Sequence, residues 1–207
     1  MLWIVLAVFA WGGAHSLLAA LEVKEAVYRR FGDPARHWYR LAYNLFATVT
    51  FLPVLALLFV LPDKRLYVVP FPWAALMVLA QMLAVVAILV ALWQTDLWDF
   101  LGLKAFWSGA PEGRTVGMGN SLRTDGLYRY VRHPLYTAGL LVLWLSPWMS
   151  QNLLALNLAL TVYILVGAVF EERKLVREFG DAYRRYQAQT PMFLPRLGWN
   201  KKREKQV

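Results

Sequence analysis

Long apolar stretches alternate with short polar ones along this chain, and the pattern predicts helices that cross a membrane. Five apolar blocks stand out, at residues 2–21, 43–61, 72–93, 134–149 and 152–170. A membrane-spanning helix needs about 20 apolar residues, or about 17 at the short end. The last two blocks are short and are joined by an uncharged turn, so we expect them to form a helical hairpin. The prediction is an all-α polytopic membrane protein with five transmembrane helices.

The positive charges of the loops predict an orientation in the membrane. Loops 22–42, 94–133 and 171–207 carry 20 of the 22 Lys and Arg residues, whereas loops 62–71 and 150–151 carry 2. Cytoplasmic loops are enriched in Lys and Arg. We therefore predict an integral protein of a prokaryotic inner or plasma membrane, with the N-terminus outside and the C-terminus cytoplasmic.

Composition narrows the possible chemistry. Only 17% of the residues are charged and 59% are hydrophobic, whereas a soluble domain has about 25% charged residues. The absence of cysteine excludes disulfides and thiolate-bound metals, and we expect no metal site. The net charge of +9 fits attraction to anionic lipid, so we expect the lipid bilayer, and no nucleic acid, as a partner.

Two polar clusters flank the predicted hairpin. Arg132 and His133 precede Pro134, which suits the first turn of a helix, and Tyr136 follows one turn later. Exposed amides at a helix N-terminus attract negative groups, so this cluster could hold a carboxylate, a phosphate or a purine ring. The alternative is that Arg132 reaches lipid phosphates and Pro134 merely starts the helix.

Glu171, Glu172 and Arg173 follow the hairpin. Two carboxylates at the C-terminal end of a helix oppose its dipole. They could bind a ribose diol or a ligand cation, or form salt bridges to Arg129 or Arg132. The alternative is a solvated helix that continues into the tail.

The hairpin should bring the two clusters to the same depth, because its legs are about 24 and 27 Å long at 1.5 Å per residue. The tail over 179–186 is predicted to form a cytoplasmic interfacial helix that could cover the site. The loop over 105–127, which contains a Gly-Met-Gly run at 117–119, could act as a lid.

Polar side chains also occur in the cytoplasmic halves of the first two spans, at His15, Tyr43 and Asn44. An ionisable residue inside a membrane segment suggests a functional site. The alternative for His15 is a hydrogen bond to a neighbouring helix.

These motifs resemble the integral-membrane methyltransferase superfamily, which includes isoprenylcysteine carboxyl methyltransferase and the phospholipid methyltransferases. The resemblance rests on the run 128–139, the hairpin, Glu171-Glu172 and the tail 179–186 with Pro191 and Pro195. The N-terminal half, with His15-Ser16 and the run 39–44, resembles the branch of methanethiol S-methyltransferase and NnrU-type proteins.

The resemblance implies a division into an N-terminal three-helix membrane region, 1–93, and a methyltransferase core, 94–207. It implies S-adenosylmethionine as the cofactor, S-adenosylhomocysteine as its product, and a lipophilic or small thiol, carboxylate or amine as the methyl acceptor. The cofactor-binding residues it implies are Arg132, His133, Tyr136, Gly139, Glu171 and Glu172. The implied catalytic residues are Glu172 and Arg173, and the implied substrate-binding residues are His15, Tyr43 and Asn44.

Two other functions stay open. An NADPH-dependent membrane reductase of the sterol type shares the Arg-His-Pro motif, but that family has Asn after the Pro and Glu after the later Gly, where this chain has Leu135 and Leu140. A non-enzymatic accessory protein of the NnrU type is the second alternative.

Overall fold

The computed structural model describes residues 1–105 and 122–195 of the chain. The described part is mostly helical, with one short two-stranded sheet and a 3-10 turn at Gly126–Arg129. The elements are α1 (Leu2–Ala19), α2 (Leu21–Phe31), α3 (Asp33–Val60), β1 (Arg65–Val68), α4 (Trp73–Gln94), α5 (Leu97–Leu101), α6 (Pro134–Trp144), β2 (Trp148–Ser150), α7 (Gln151–Phe179) and α8 (Asp181–Gln189). The loop predicted as a lid lies mostly outside the described residues, because 106–121 are not described.

Four of the described helices, α1, α3, α4 and α7, are long and apolar enough to cross a membrane. The predicted class, an all-α polytopic membrane protein, is confirmed. The count of five spans is not established. The first leg of the predicted hairpin contains only the 11 residues of α6, about 16 Å of helix, against a hydrocarbon core about 30 Å thick.

The first leg is short because its last part is extended and pairs with a distant segment. β2 pairs antiparallel with β1, with Arg65 opposite Ser150 and Val68 opposite Trp148. Pro147 disfavours a helical conformation at the residue before it, and the Ser150 hydroxyl caps α7 by accepting from the Leu153 amide. The loop after α3 and the hairpin turn therefore meet at one end of the bundle, as the alternation of loops predicts.

Only a small part of each long apolar helix is buried against other helices of the chain. α1 packs against α3 and α7, and α4 packs against α6. The core between α1, α3 and α7 is formed by Ile4, Val8, Val54, Leu156 and Ala159. Many large apolar side chains face outward, which is unfavourable in water and favourable in lipid.

Two helices occupy segments that lie between the predicted spans. α2 has no buried residue, and its two faces differ in polarity, as expected for a helix at the membrane surface.

α5 is fixed to α3 because Arg40, only 4% exposed, donates to the Asp99 carboxylate at 2.6 Å. Gly102 ends α5 with φ +80°, and a Cβ there would lie 2.5 Å from the Leu41 amide nitrogen. This close contact fixes the start of the second half of the chain against α3.

Candidate functional site

The start of α6 is held by the tail of the chain. The backbone amides of Arg132 and His133 donate to the carbonyls of Pro191 and Met192, at 2.9 and 3.2 Å. These two amides, which precede the first residue of α6, are therefore bonded within the protein. The tail thus lies across the beginning of the hairpin.

Glu172 is the centre of a hydrogen-bond network that joins three segments. Its carboxylate accepts from Arg132 Nε and Nη2 at 2.6 and 3.0 Å, from His133 Nε2 at 3.1 Å, from the Tyr183 hydroxyl at 3.2 Å and from Gln187 Nε2 at 2.8 Å. A carboxylate has about four lone-pair positions, so Glu172 is fully used by these contacts. The ion pair with Arg132 that the sequence offered as an alternative is present, and Arg132 points to protein rather than lipid.

The same network orders α8. Arg132 Nη1 also donates to the carbonyls of Gln187 and Thr190, while Tyr183 and Tyr186 are buried against Leu175. Burial, and then the charge of Glu172, raise the pKa of Tyr183 above its usual range, so its hydroxyl stays protonated and donates throughout the neutral range. The predicted tail helix is therefore a fixed part of the site.

Glu171 has a different environment although it is the next residue. Its side chain is 38% exposed, and among the described residues it accepts one hydrogen bond, from the Tyr136 hydroxyl at 2.8 Å. His133 Nδ1 lies 3.7 Å from the same carboxylate. The His133 and Tyr136 rings stack with their centroids 5.3 Å apart. Glu171 thus keeps free lone pairs beside two parallel rings, which suits a ligand with hydroxyl or ammonium donors.

Two glycines on the hairpin helices, near Tyr136 and Glu171 in sequence, have open space where a side chain would stand. A Cβ added at Gly139, three residues after Tyr136, would meet no atom within 4 Å. The same is true at Gly167, four residues before Glu171. Residues three and four apart share a helix face, so both glycines leave room on the faces that carry Tyr136 and Glu171.

The other predicted site residues make different contacts. Arg173 is exposed, with its guanidinium 5.6 Å from the Phe170 ring centroid. The Asn44 amide nitrogen donates to the Phe100 carbonyl at 2.9 Å, which helps to fix α5. His15 and Tyr43 are brought together, with 2.7 Å between His15 Nε2 and the Tyr43 hydroxyl.

Sequence reasoning missed Gln187 and Tyr163. Gln187 directly follows the predicted tail helix and comes four residues after Tyr183, so its helical spacing was the available signal. Tyr163, whose hydroxyl lies 3.2 Å from Ser16 Oγ, was hidden in an apolar span. No group of three His, Asp or Glu side chains that could hold a metal occurs in the described ranges.

Comparison with known families gives one match over most of the chain. Residues 2–190 match the family described as "Protein of unknown function (DUF1295)". The chain belongs to this family. No solved structure matches it.

Several curated relatives are similar over part of their length. Methanethiol S-methyltransferase 2 of Bradyrhizobium diazoefficiens is 44% identical over 102 residues, which are 49% of this chain and 39% of that protein. Methanethiol S-methyltransferase of Pseudomonas deceptionensis is 38% identical over 113 residues, 55% of this chain and 42% of that protein. The Mycobacterium tuberculosis protein of the same name is 33% identical over 111 residues, 52% of this chain and 43% of its own length.

The chain therefore spans about two fifths of the curated relatives it matches. The resemblance to the membrane methyltransferases, stated from the motifs, is confirmed by these relatives.

Proposed function

We propose that this chain transfers a methyl group from S-adenosylmethionine to a small thiol at the membrane. The relatives are named for methyl transfer to methanethiol. They support methyl transfer as the general type of reaction. The donor and the acceptor are our inference. We further propose the orientation predicted from the loop charges, which places the site at the cytoplasmic face.

The observation that carries the proposal is the difference between the two neighbouring carboxylates. All the lone pairs of Glu172 accept hydrogen bonds from protein groups. Glu171 keeps free lone pairs beside the stacked rings of His133 and Tyr136. S-adenosylmethionine carries an adenine ring, a ribose diol, an ammonium group and a sulfonium cation. A free carboxylate, aromatic faces and the space at Gly139 match these groups, so the residues present fit this cofactor.

Each residue has a proposed role. When bound, S-adenosylmethionine supplies a methyl group on a positively charged sulfur. Glu171 would accept hydrogen bonds from the ligand's hydroxyl or ammonium groups, and His133 and Tyr136 would contact its flat or cationic parts. Glu172 and Arg132 would act as positioning residues that hold the tail over the site and exclude water. A catalytic role for Arg173 stays a prediction.

Glu172 is thus reassigned from a direct catalytic role to a positioning role. Its carboxylate has no lone pair left for a ligand while the five donor contacts persist. A methyl transfer to a thiolate needs no general base on the protein, since the acceptor sulfur has already lost its proton.

The test is transfer of labelled methyl from S-adenosylmethionine by the full chain in lipid nanodiscs. Methanethiol, an isoprenylcysteine analogue and phosphatidylethanolamine are offered separately. We expect labelled dimethyl sulfide, and loss of this product in Glu171→Gln. Oxidation of NADPH with a sterol, without transfer to any acceptor, would support the reductase alternative. Inactivity of folded protein in both assays would support the accessory protein.

A further inference from the structure

A second polar cluster lies among the membrane helices α1, α3 and α7. The Tyr43 hydroxyl is 2.7 Å from His15 Nε2, and the Tyr163 hydroxyl is 3.2 Å from Ser16 Oγ. The rings of His15 and Tyr163 are 6.3 Å apart between centroids. An ionisable side chain such as His15 is costly in a membrane segment and suggests a functional site.

The position of the proton on the His15 ring determines whether the Tyr43 hydroxyl is free to donate a hydrogen bond. Nδ1 of His15 is buried and has no hydrogen-bond partner in the described part of the chain. A buried N–H without an acceptor is rarer than an acceptor without a donor, so we assign the proton to Nε2. Nε2 then donates to the Tyr43 oxygen. The hydroxyl proton of Tyr43 has no acceptor among the described residues and can be donated to a ligand.

The cluster lies next to the Glu171 site. Tyr43 and Tyr163 both lie near enough to Tyr136 to interact with it electrostatically. Tyr136 is the residue that donates to Glu171. On α7, Gly167 lies four residues from Tyr163 and four from Glu171, and a Cβ at Gly167 would meet nothing within 4 Å. One face of α7 therefore runs from the cluster, past an open position, to the free carboxylate.

The walls of the cluster favour a small sulfur compound. Trp11 stacks on His15 with centroids 4.9 Å apart and meets the edge of Tyr163 at 5.8 Å, and sulfur makes favourable contacts with aromatic rings. The room is limited, because Tyr163 packs so close to α1 that a Cβ at Gly12 would lie 2.8 Å from its ring. A polarisable group of few atoms suits these walls better than an isoprenoid or a phospholipid headgroup.

We propose that this cluster is the acceptor subsite, where the Tyr43 hydroxyl, oriented by His15, donates to the sulfur of a small thiolate. The inference rests on the proposed function. The thiol gives its proton to water before it binds. Its sulfur then forms the bond to the methyl carbon while the bond from that carbon to the donor sulfur breaks, and the electron pair of the broken bond stays on the donor sulfur.

The first test compares Tyr43→Phe with the matched variant Tyr39→Phe in the full chain. Tyr39 is also on α3, but its hydroxyl donates to the Leu18 carbonyl at 2.6 Å. We expect Tyr43→Phe to raise the KM for methanethiol about tenfold without changing the Kd of S-adenosylhomocysteine, and Tyr39→Phe to change neither. An unchanged methanethiol KM in Tyr43→Phe, with normal S-adenosylhomocysteine binding, would overturn the subsite and leave the proposed function standing. Wild-type protein that binds no S-adenosylhomocysteine would overturn both.

A second test is made on the wild-type protein, so its result does not depend on whether a variant folds. The chain has three histidines, so ¹⁵N-histidine NMR can follow His15, with His15→Gln used only for assignment. We expect a protonated Nε2 and a bare Nδ1, and a shift of the His15 signals when methanethiol is added to protein saturated with S-adenosylhomocysteine. Absence of that shift, or a proton on Nδ1, contradicts the inference.

Discussion

Glu172 joins the last long helix to the tail, so replacing it should release α8 from the bundle. The change Glu172→Gln keeps the shape of the side chain. It replaces one acceptor oxygen by an NH₂ group that faces the donors of Arg132 or Gln187. The guanidinium of Arg132 would lose its counter-charge while only 11% of its side chain is exposed.

The size of the effect follows from this burial. Removing one partner of a buried ion pair costs about 3–5 kcal/mol. Both side chains of the pair keep slight exposure, 11% and 12%, so we expect the lower end, about 3 kcal/mol. With about 1.4 kcal/mol for each factor of ten, local opening of α8 should become about a hundredfold more frequent.

Hydrogen exchange measures this opening directly, since amides exchange through local unfolding. We expect the amides of 181–189 to exchange about a hundredfold faster in Glu172→Gln, with α1 and α3 unchanged. Glu171→Gln is the matched control, because its carboxylate bonds to Tyr136 and not to α8. Unchanged exchange in Glu172→Gln, or equal acceleration in Glu171→Gln, would refute the reasoning.

Three further outcomes are expected from the fold. Gly102→Ala should lower the melting temperature, because the residue has φ +80° and its Cβ would lie 2.5 Å from the Leu41 nitrogen; a melting temperature equal to wild type would contradict this. Gly139→Leu should fill open space and weaken S-adenosylhomocysteine binding, whereas Gly139→Ala should fold and bind normally, as calorimetry can check. Asp99→Ala should lower the stability by about 3 kcal/mol, measured by thermal unfolding, because Arg40 is 4% exposed and would lose its 2.6 Å ion pair with the Asp99 carboxylate.

The hydrophobic pattern predicted the long helices well because the length of a membrane-spanning helix depends on the length of one continuous apolar run. The blocks 2–21, 72–93 and 152–170 correspond to α1, α4 and the apolar part of α7. α3 begins ten residues before its predicted apolar block. Polar residues can extend a helix beyond the membrane, and Pro34 at its first turn favours an early start.

What the sequence could not predict depends on distant contacts. The shortness of α6 follows from the pairing of β2 with β1, which lies before α4. Consecutive helix residues point about 100° apart, so Glu171 and Glu172 face different neighbours. The positions of Arg132, His133 and α8 together determine that Glu172 is the carboxylate held by protein contacts. Charge and spacing indicated that these residues meet Arg132 and His133, but not which carboxylate stays free. The division at 93/94 stays a prediction.

The central claim is that Glu171 is the free carboxylate of a site for S-adenosylmethionine. The most direct measurement is calorimetric titration of the detergent-purified full chain with S-adenosylhomocysteine, for wild type and for Glu171→Gln. The account predicts binding by wild type and its loss in Glu171→Gln, with the hydrogen exchange of α8 unchanged. No binding by folded wild-type protein, or equal binding by both proteins, would contradict it.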